Sequence, residues 1–187
     1  MKLFMVLIGC KPEGRHTEQH DIFFGIAQTL ADLVPQLKSF WPGKHRLHID
    51  AWREVTREGQ FNIRILSAPK KKSEKFAAQQ LFFLNLGGYR RGEFEEYHYK
   101  LLEVAPDLAT AIQSAKQTAF YKHTGFKGAT SHVDDKYGID IDDSYLVEDL
   151  LSAELREKYH IQITPGLKAT ADEWHIGYTK LSSLTKL

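Results

Sequence analysis

The sequence predicts an α+β protein made of two tandem, related β-α-β-β units with a pseudo-two-fold relation, its helices packed on sheets. Residues 81–98 repeat residues 3–20, and in each copy the apolar residues change from a continuous run to helical spacing and then to alternation. A shift of 78 positions gives six identities, against about one or two expected by chance, which indicates an internal repeat. The identities pair Leu3, Phe4, Gly9, Gly14, Glu18 and His20 with Leu81, Phe82, Gly87, Gly92, Glu96 and His98.

The repeat sets the predicted domain boundaries. Residues 1–67 form the first unit, the lysine-rich residues 68–78 form a solvated linker, and residues 79–187 form the second unit with a C-terminal helix and strand extension. The triplet His48-Ile49-Asp50 recurs as His132-Val133-Asp134 once six extra residues are allowed. We expect the two units to form one compact body, because a chain of 187 residues buries one sizeable core or two small, fused ones.

In the first unit, an apolar run from Lys2 to Gly9 predicts a buried strand. Thr17 and Glu18 are typical of a helix start, and helical spacing then continues to Leu37, with a kink or a new turn at Pro35. Residues 46–55 alternate, which predicts a strand, and a hairpin turn at residues 57–59 leads to another strand. The alternation places Leu47, Ile49 and Ala51 on one face and His48, Asp50 and Trp52 on the other.

The second unit is predicted to begin with a strand that ends at Gly87. A helix follows from about Glu93, Pro106 interrupts it, and Asp107 caps a second helical segment. Residues 130–135 match the second strand of the first unit. Beyond them we expect a helix from Asp143 to residue 159, a short strand at residues 160–163 and a final strand at residues 174–178.

Composition and charge exclude several classes of function. The apolar and charged fractions are near globular averages, so neither disorder nor a membrane span is expected. With a net charge of +1, and with the linker as the only basic cluster, a nucleic-acid partner is not expected. Cys10 is the single cysteine, which is typical of a reducing cytoplasm. Residues 7–10 resemble a lipoprotein cleavage box, but the short apolar run and its internal repeat favour a strand in a cytoplasmic protein.

The strongest set of chemical groups is a pair of histidines with carboxylates. His48 and Asp50 lie two residues apart on a strand and therefore share a face, while Glu18 and His20 lie where we expect a helix to start at the strand ends. Two histidines and a carboxylate can bind a divalent metal, and a His–Asp pair can also act as a general base. Helix capping and ordinary polar pairing explain the same residues without a site. The candidate ligands are Glu18, His20, His48 and Asp50, with Glu96, His98, His132 and Asp134 as their counterparts.

Two glycine-containing loops are candidate anion sites. Each is expected to join a strand to a helix N-terminus, where backbone amides bind anions, although the tight turns that glycines permit explain the pattern better. The candidate residues are Gly9, Gly14 and Arg15 in the first loop and Gly87, Arg90, Arg91 and Gly92 in the second.

Four segments of the second unit carry a family resemblance: residues 81–89, 92–98, 120–126 and 132–140. They resemble a bacterial family of uncharacterised proteins, the domain of unknown function 1543, found in one or two copies per chain. The resemblance implies a bacterial protein with a duplicated domain and assigns no catalytic residue. The residues favour a pocket at the strand ends that binds a metal or a small polar ligand. The alternative is a non-catalytic protein-interaction module, and a homo-oligomer is compatible with either.

Overall fold

The computed structural model describes residues 1–41, 43, 46–67, 79–118, 122, 132–133, 144–166 and 171–184. The chain divides into two compact units, of which one combines Met1–Lys70 with Leu150–Leu187 and the other is Lys71–Asp149. The prediction that residues 150–187 extend the second unit is therefore wrong. These residues return to the first unit because their strands pair with its strands and not with those of the second. The predicted linker, residues 68–78, lies outside the described residues.

The described elements are mostly strands with few helices, which confirms the α+β class. In chain order they are β1 (Lys2–Cys10), β2 (Gln19–Ala27), a 3-10 helix (Ala31–Leu33), α1 (Val34–Phe40), β3 (His48–Glu54), β4 (Arg57–Glu58), β5 (Phe61–Ser67), β6 (Gln80–Tyr89), β7 (Glu96–Ala105), α2 (Leu108–Ala115), β8 (His132–Val133), β9 (Ser144–Leu146), α3 (Val147–Leu150), α4 (Ala153–Lys158), β10 (Tyr159–Pro165), β11 (His175–Lys180) and α5 (Leu181–Leu184).

The first unit contains two antiparallel sheets. One has the strand order β11-β3-β1-β2 and the other β10-β5-β4. The α1 and α5 helices contribute Leu37 and Leu181 to a core with the buried side chains of β1. The β10 and β11 strands confirm the two short strands predicted near the C-terminus. The predicted helix from Asp143 to residue 159 is instead two short helices, the second of them capped by Ser152, and Asp143 lies outside the described residues.

The prediction that helices start near Thr17 and Glu93 is wrong. Both segments are strands, β2 and β7, that pair along the full length of β1 and β6. The residues from Ile22 to Ala27 are apolar at every position. Such a run fits a strand that is buried on both faces as well as it fits helical spacing. Pairing with β1 and β6 gives the backbone groups of β2 and β7 their hydrogen-bond partners. These long-range hydrogen bonds outweigh the local residues that are typical of a helix start.

In each unit, the helix lies further towards the C-terminus than the sequence predicts. The α1 helix begins one residue before Pro35, a position where proline removes no intrahelical hydrogen bond. The α2 helix begins after Asp107, whose side chain accepts a hydrogen bond from the backbone N–H of Thr110 at 2.8 Å. The predicted cap at Asp107 is confirmed.

The register of β3 contains an irregularity that the alternation did not reveal. Ala51 pairs with Leu7 and Ile49 with Ile8, so Asp50 is an extra residue without a partner in β1. Trp52 therefore packs against the same core as Ile49, not on the face of His48 as predicted. Such a bulge redirects the side chain of its extra residue, which here is a candidate ligand.

The second unit has the strand order β7-β6-β8, with β9 pairing β6 beyond β8. Its pairing register matches that of the first unit. Gly87 faces His98 on one side and His132 on the other, just as Gly9 faces His20 and His48. The buried side chains also correspond under the 78-residue shift, since Phe82, Leu84, Leu86, Ala105, Ala111 and Ala115 occupy the positions of Phe4, Val6, Ile8, Ala27, Leu33 and Leu37.

Candidate metal centre

Three neighbouring strands bring the first-unit candidates together. Gly9 lies on the central strand β1, opposite His20 of β2 and His48 of β3. Directly opposed residues of antiparallel strands place their side chains on the same face, so both imidazoles project from the face of Gly9. Asp50 reaches this face from the bulge in β3, and Glu18 reaches it from the residue before β2.

The donor atoms of the four side chains converge. The Oδ2 atom of Asp50 lies 3.2 Å from Nε2 of His20 and 3.2 Å from Nε2 of His48. The Oε2 atom of Glu18 lies 3.8 Å from Nε2 of His48 and 4.0 Å from Nε2 of His20. One donor atom each from Glu18, His20 and His48 lies within 4.8 Å of the others.

These contacts are not hydrogen bonds. Nε2 of His48 and Oδ2 of Asp50 are both buried, and neither has a hydrogen-bond partner among the described residues, although they lie 3.2 Å apart. A buried polar atom without a partner is costly, so both atoms need a further group. Metal bonds of about 2.1 Å place adjacent ligand atoms roughly 3.0–3.4 Å apart in tetrahedral or octahedral geometry. The spacing of the two imidazoles from Asp50 fits this requirement.

The missing side chain at Gly9 leaves room for the ligands. A Cβ atom at this position would lie 2.6 Å from Nε2 of His48, 2.7 Å from Cδ2 of His20 and 2.8 Å from Oδ2 of Asp50. All three distances are shorter than real Cβ contacts, so any larger residue would displace the imidazoles and the carboxylate. Glycine is therefore required here for close approach and not for a turn.

The site is buried on one side and open on the other. The side chain of His48 is 3% exposed, that of Asp50 is 26% exposed, and those of His20 and Glu18 are 40% and 51% exposed. The ring of Tyr178 packs against the ring of His48 with centroids 4.6 Å apart. This gradient holds one imidazole rigidly and leaves the other ligands in contact with solvent.

The set of donors selects the kind of ion. Two imidazole nitrogens with one or two carboxylate oxygens suit zinc, iron(II) or manganese(II), whereas calcium and magnesium prefer oxygen ligands alone. Four side chains on one face leave the solvent side of an ion free for water or a small polar ligand.

The second-unit candidates are only partly described. His98 lies opposite Gly87 in β7, and the backbone of His132 lies opposite Gly87 in β8. The side chain of Glu96 accepts a hydrogen bond from the hydroxyl of Tyr89 at 2.7 Å. Asp134 lies outside the described residues, as does the side chain of His132.

The loops proposed as anion sites do not lead to helix N-termini. Each connects two antiparallel strands, because the helices expected after them are the strands β2 and β7. The glycines Gly14 and Gly92 have φ angles of 76° and 82° and occupy equivalent tight turns, closed by bonds from Arg15 N–H to the Pro12 carbonyl and from Glu93 N–H to the Arg90 carbonyl.

The arginines and the first glycines of these loops have other surroundings. Gly9 and Gly87 lie inside β1 and β6, and the guanidinium of Arg90 packs over the ring of Tyr97 at 4.6 Å. Turn formation and close packing therefore explain the loop glycines, and the interpretation as an anion site at a helix N-terminus is wrong.

Two features of the site were absent from the sequence prediction. The bulge that presents Asp50 depends on pairing with β1, and Tyr178 comes from β11, far along the chain.

Cys10 is fully buried at the end of β1, and desolvation, followed by the nearby charge of Glu18, raises the pKa of its thiol. The thiol is therefore a packing group and not a reactive one.

Comparison with known proteins bears on the family and on the fold. Residues 15–65, which include all four first-unit candidates, match the model of the Domain of Unknown Function DUF1543. The predicted resemblance to this family is thereby confirmed over residues 15–65. No curated protein matches the chain. The crystal structure of a protein Il1583 from Idiomarina loihiensis is similar, with a TM-score of 0.55 and 20% identity over 96% of this chain and 97% of that chain. This similarity shows a shared fold.

None of the helices within the described residues has the length and apolarity needed to cross a lipid bilayer.

Proposed function

We propose that the first unit binds one divalent transition-metal ion through His20, His48 and Asp50, with Glu18 as a fourth, more exposed ligand. The observation that carries the proposal is the pair of buried, unpartnered atoms, Nε2 of His48 and Oδ2 of Asp50, that lie at ligand spacing beside a second imidazole. A bound ion would give both atoms a partner and would remove the cost of leaving them unsatisfied.

An ion held in this way is accessible from solvent on the side of Glu18 and His20. The family setting supports a bacterial protein, and the single buried cysteine is compatible with the cytoplasm. The matching registers around Gly9 and Gly87 support descent of the two units from one ancestral domain. Within that ancestry, we assign metal binding to the first unit because the Glu96 carboxylate is engaged by Tyr89.

Two other functions receive less support. A His–Asp general base requires a hydrogen bond between the carboxylate and the imidazole, and His48 and Asp50 lack that geometry. A protein-interaction face predicts polar groups dispersed over a flat surface, whereas the donor atoms of the first unit converge on one point.

Elemental analysis of the purified chain, compared with that of two histidine variants, tests the proposal. We expect one equivalent of metal in the wild type and its loss in His20→Ala, because His20 is exposed and its removal spares the core. The His98→Ala variant is the matched control, since His98 occupies the same register position in the second unit. Equal metal content in both variants, or none in the wild type after reconstitution with zinc, would contradict the proposal.

A further inference from the structure

A cavity of about 600 Å³ lies beside the candidate metal centre, within the first unit. Its position follows from the register of β3 and β11. Lys180 pairs with His48 across these strands and lines the cavity, as does Leu47, the residue before His48. The ring of Tyr178 both lines the cavity and contacts the ring of His48. The cavity and the metal centre therefore share one edge of the sheet.

The charge of the cavity lining has one sign. Lys38 of α1, Arg46 before β3 and Lys180 of β11 contribute three cationic side chains. The described residues that line the cavity include no carboxylate, and none of the three cations forms an ion pair with another described residue. These three exposed cations from three separate elements create a positive potential that favours a bound anion.

The remaining wall is mostly apolar, with the hydroxyl-bearing residues Tyr178 and Ser182 beside three aliphatic side chains. Val34, Leu47 and Leu181 line the cavity, and Val34 and Leu181 are only 5% and 6% exposed. A volume of this size accommodates a small organic molecule and lies in the range typical of ligand pockets, roughly 300–1,000 Å³. The lining thus has two parts, a cationic rim and an apolar floor.

We infer that this cavity binds a small organic anion, in which a carboxylate or phosphate group meets Lys38, Arg46 and Lys180 and an apolar body packs on Val34 and Leu181. Charge-assisted hydrogen bonds to Arg and Lys suit either anionic group. The inference rests on the proposed metal centre in one respect only: the bound anion would be the ligand that the metal ion meets. Binding itself depends on the cavity alone.

Titration calorimetry of the full chain with phenyl phosphate and with phenylacetate tests the inference, with phenol as the apolar control. We expect one or both anions to bind, with an affinity that falls as salt rises, and phenol not to bind. Their relative affinities identify the preferred anionic group. Binding of phenol as tightly as the anions, or of neither anion, would overturn the inference.

Variants locate the anion. Lys38→Gln and Lys180→Gln should each weaken binding about tenfold, the effect of losing one charge-assisted contact. Lys158→Gln is the matched control, because Lys158 is an exposed lysine of the same unit that pairs with Glu154 and does not line the cavity. Equal weakening in all three variants would contradict binding in the cavity.

The same titrations in metal-free and zinc-treated protein separate the two proposals. Binding of phenyl phosphate without any binding of zinc would contradict the proposed metal centre and support anion binding in the cavity. Zinc binding without anion binding would overturn the cavity inference alone.

Discussion

The two units place a glycine between two histidines in the same register, and they differ in what surrounds that triplet. In the first unit, β3 continues through a bulge that presents Asp50 to both imidazoles. In the second unit, the described residues pair with β6 at His132–Val133 of β8 and at Ser144–Leu146 of β9, and the counterpart of Asp50 lies outside the described residues. The first carboxylate also differs, because Glu18 points to the imidazoles whereas Glu96 is bound by Tyr89.

The described edge of the sheet differs as well. In the first unit, β11 pairs with the outer side of β3 and places Tyr178 against His48. In the proposed metal centre, the repeated histidine pair is therefore joined by two groups described only in the first unit, Asp50 and Tyr178. The carboxylate delivered by the bulge and the covering edge strand turn a shared sheet motif into a set of converging donors.

The largest expected effect comes from Gly9→Ala, which changes no ligand. The new Cβ would displace His48, His20 and Asp50 together, so zinc affinity should fall by about a hundredfold, the upper end of the loss seen when groups that orient ligands are changed. Calorimetric titration with zinc measures the loss.

Gly14→Ala is the control for Gly9→Ala. Its Cβ would meet nothing within 4 Å, but its φ of 76° makes alanine strained. It should lower thermal stability and leave zinc affinity unchanged. If Gly9→Ala retained wild-type zinc affinity, the close approach at Gly9 would have no role in binding.

A smaller effect is expected from Asp50→Asn, which gives the first unit a neutral group at the position of the bulge. Asparagine keeps the shape of the side chain but removes the charge that favours a cation, so zinc affinity should fall about tenfold. Glu54→Gln, which removes a carboxylate of the same strand that pairs with Lys2 on the surface, should not change zinc affinity. Equal losses in the two variants would indicate a general charge effect and not ligation.

The smallest effect is expected at a helix cap that distinguishes the units. The α1 helix has no side-chain cap, whereas Asp107 caps α2. The hydrogen bonds from Thr110 lower the pKa of Asp107, so its stabilising contribution is present above the ordinary aspartate pKa and is lost as the pH falls through the lowered value. Asp107→Ala should therefore lower the Tm by a few degrees at pH 7.

The pH dependence of this difference distinguishes capping from helix propensity. The Tm difference between wild type and Asp107→Ala should shrink as the pH falls below about 4, because the protonated carboxyl is a weaker acceptor. Ser114→Ala, an exposed change in the same helix, should show no such dependence. A Tm difference that stayed constant down to pH 2 would contradict a charged cap.

The sequence was sufficient to predict β1, β6 and the four residues that converge in the first unit. The repeat identified the glycines and histidines, and the apolar runs identified the central strands. The β2 and β7 strands were predicted as helices because Thr17 and Glu18 resemble a helix start and because the spacing of Ile22 and Ile26 fits both periods. Pairing with β1 and β6 decides between them, and pairing between strands is not a local property of the sequence.

The bulge at Asp50 and the contact of Tyr178 were beyond prediction for a related reason. The bulge depends on pairing with β1, and Tyr178 lies on β11, which follows β3 by more than a hundred residues in the chain. A strict alternation therefore placed Trp52 on the wrong face, although it placed His48 and Asp50 together correctly.

Diffraction from crystals of the zinc-loaded protein, recorded at the zinc absorption edge, tests the metal centre most directly. The expected result is one anomalous peak above Gly9, within about 2.0–2.2 Å of Nε2 of His20, Nε2 of His48 and a carboxylate oxygen of Asp50. A structure at saturating zinc with no peak at this position, or with the only peak in the second unit, would contradict the proposed centre.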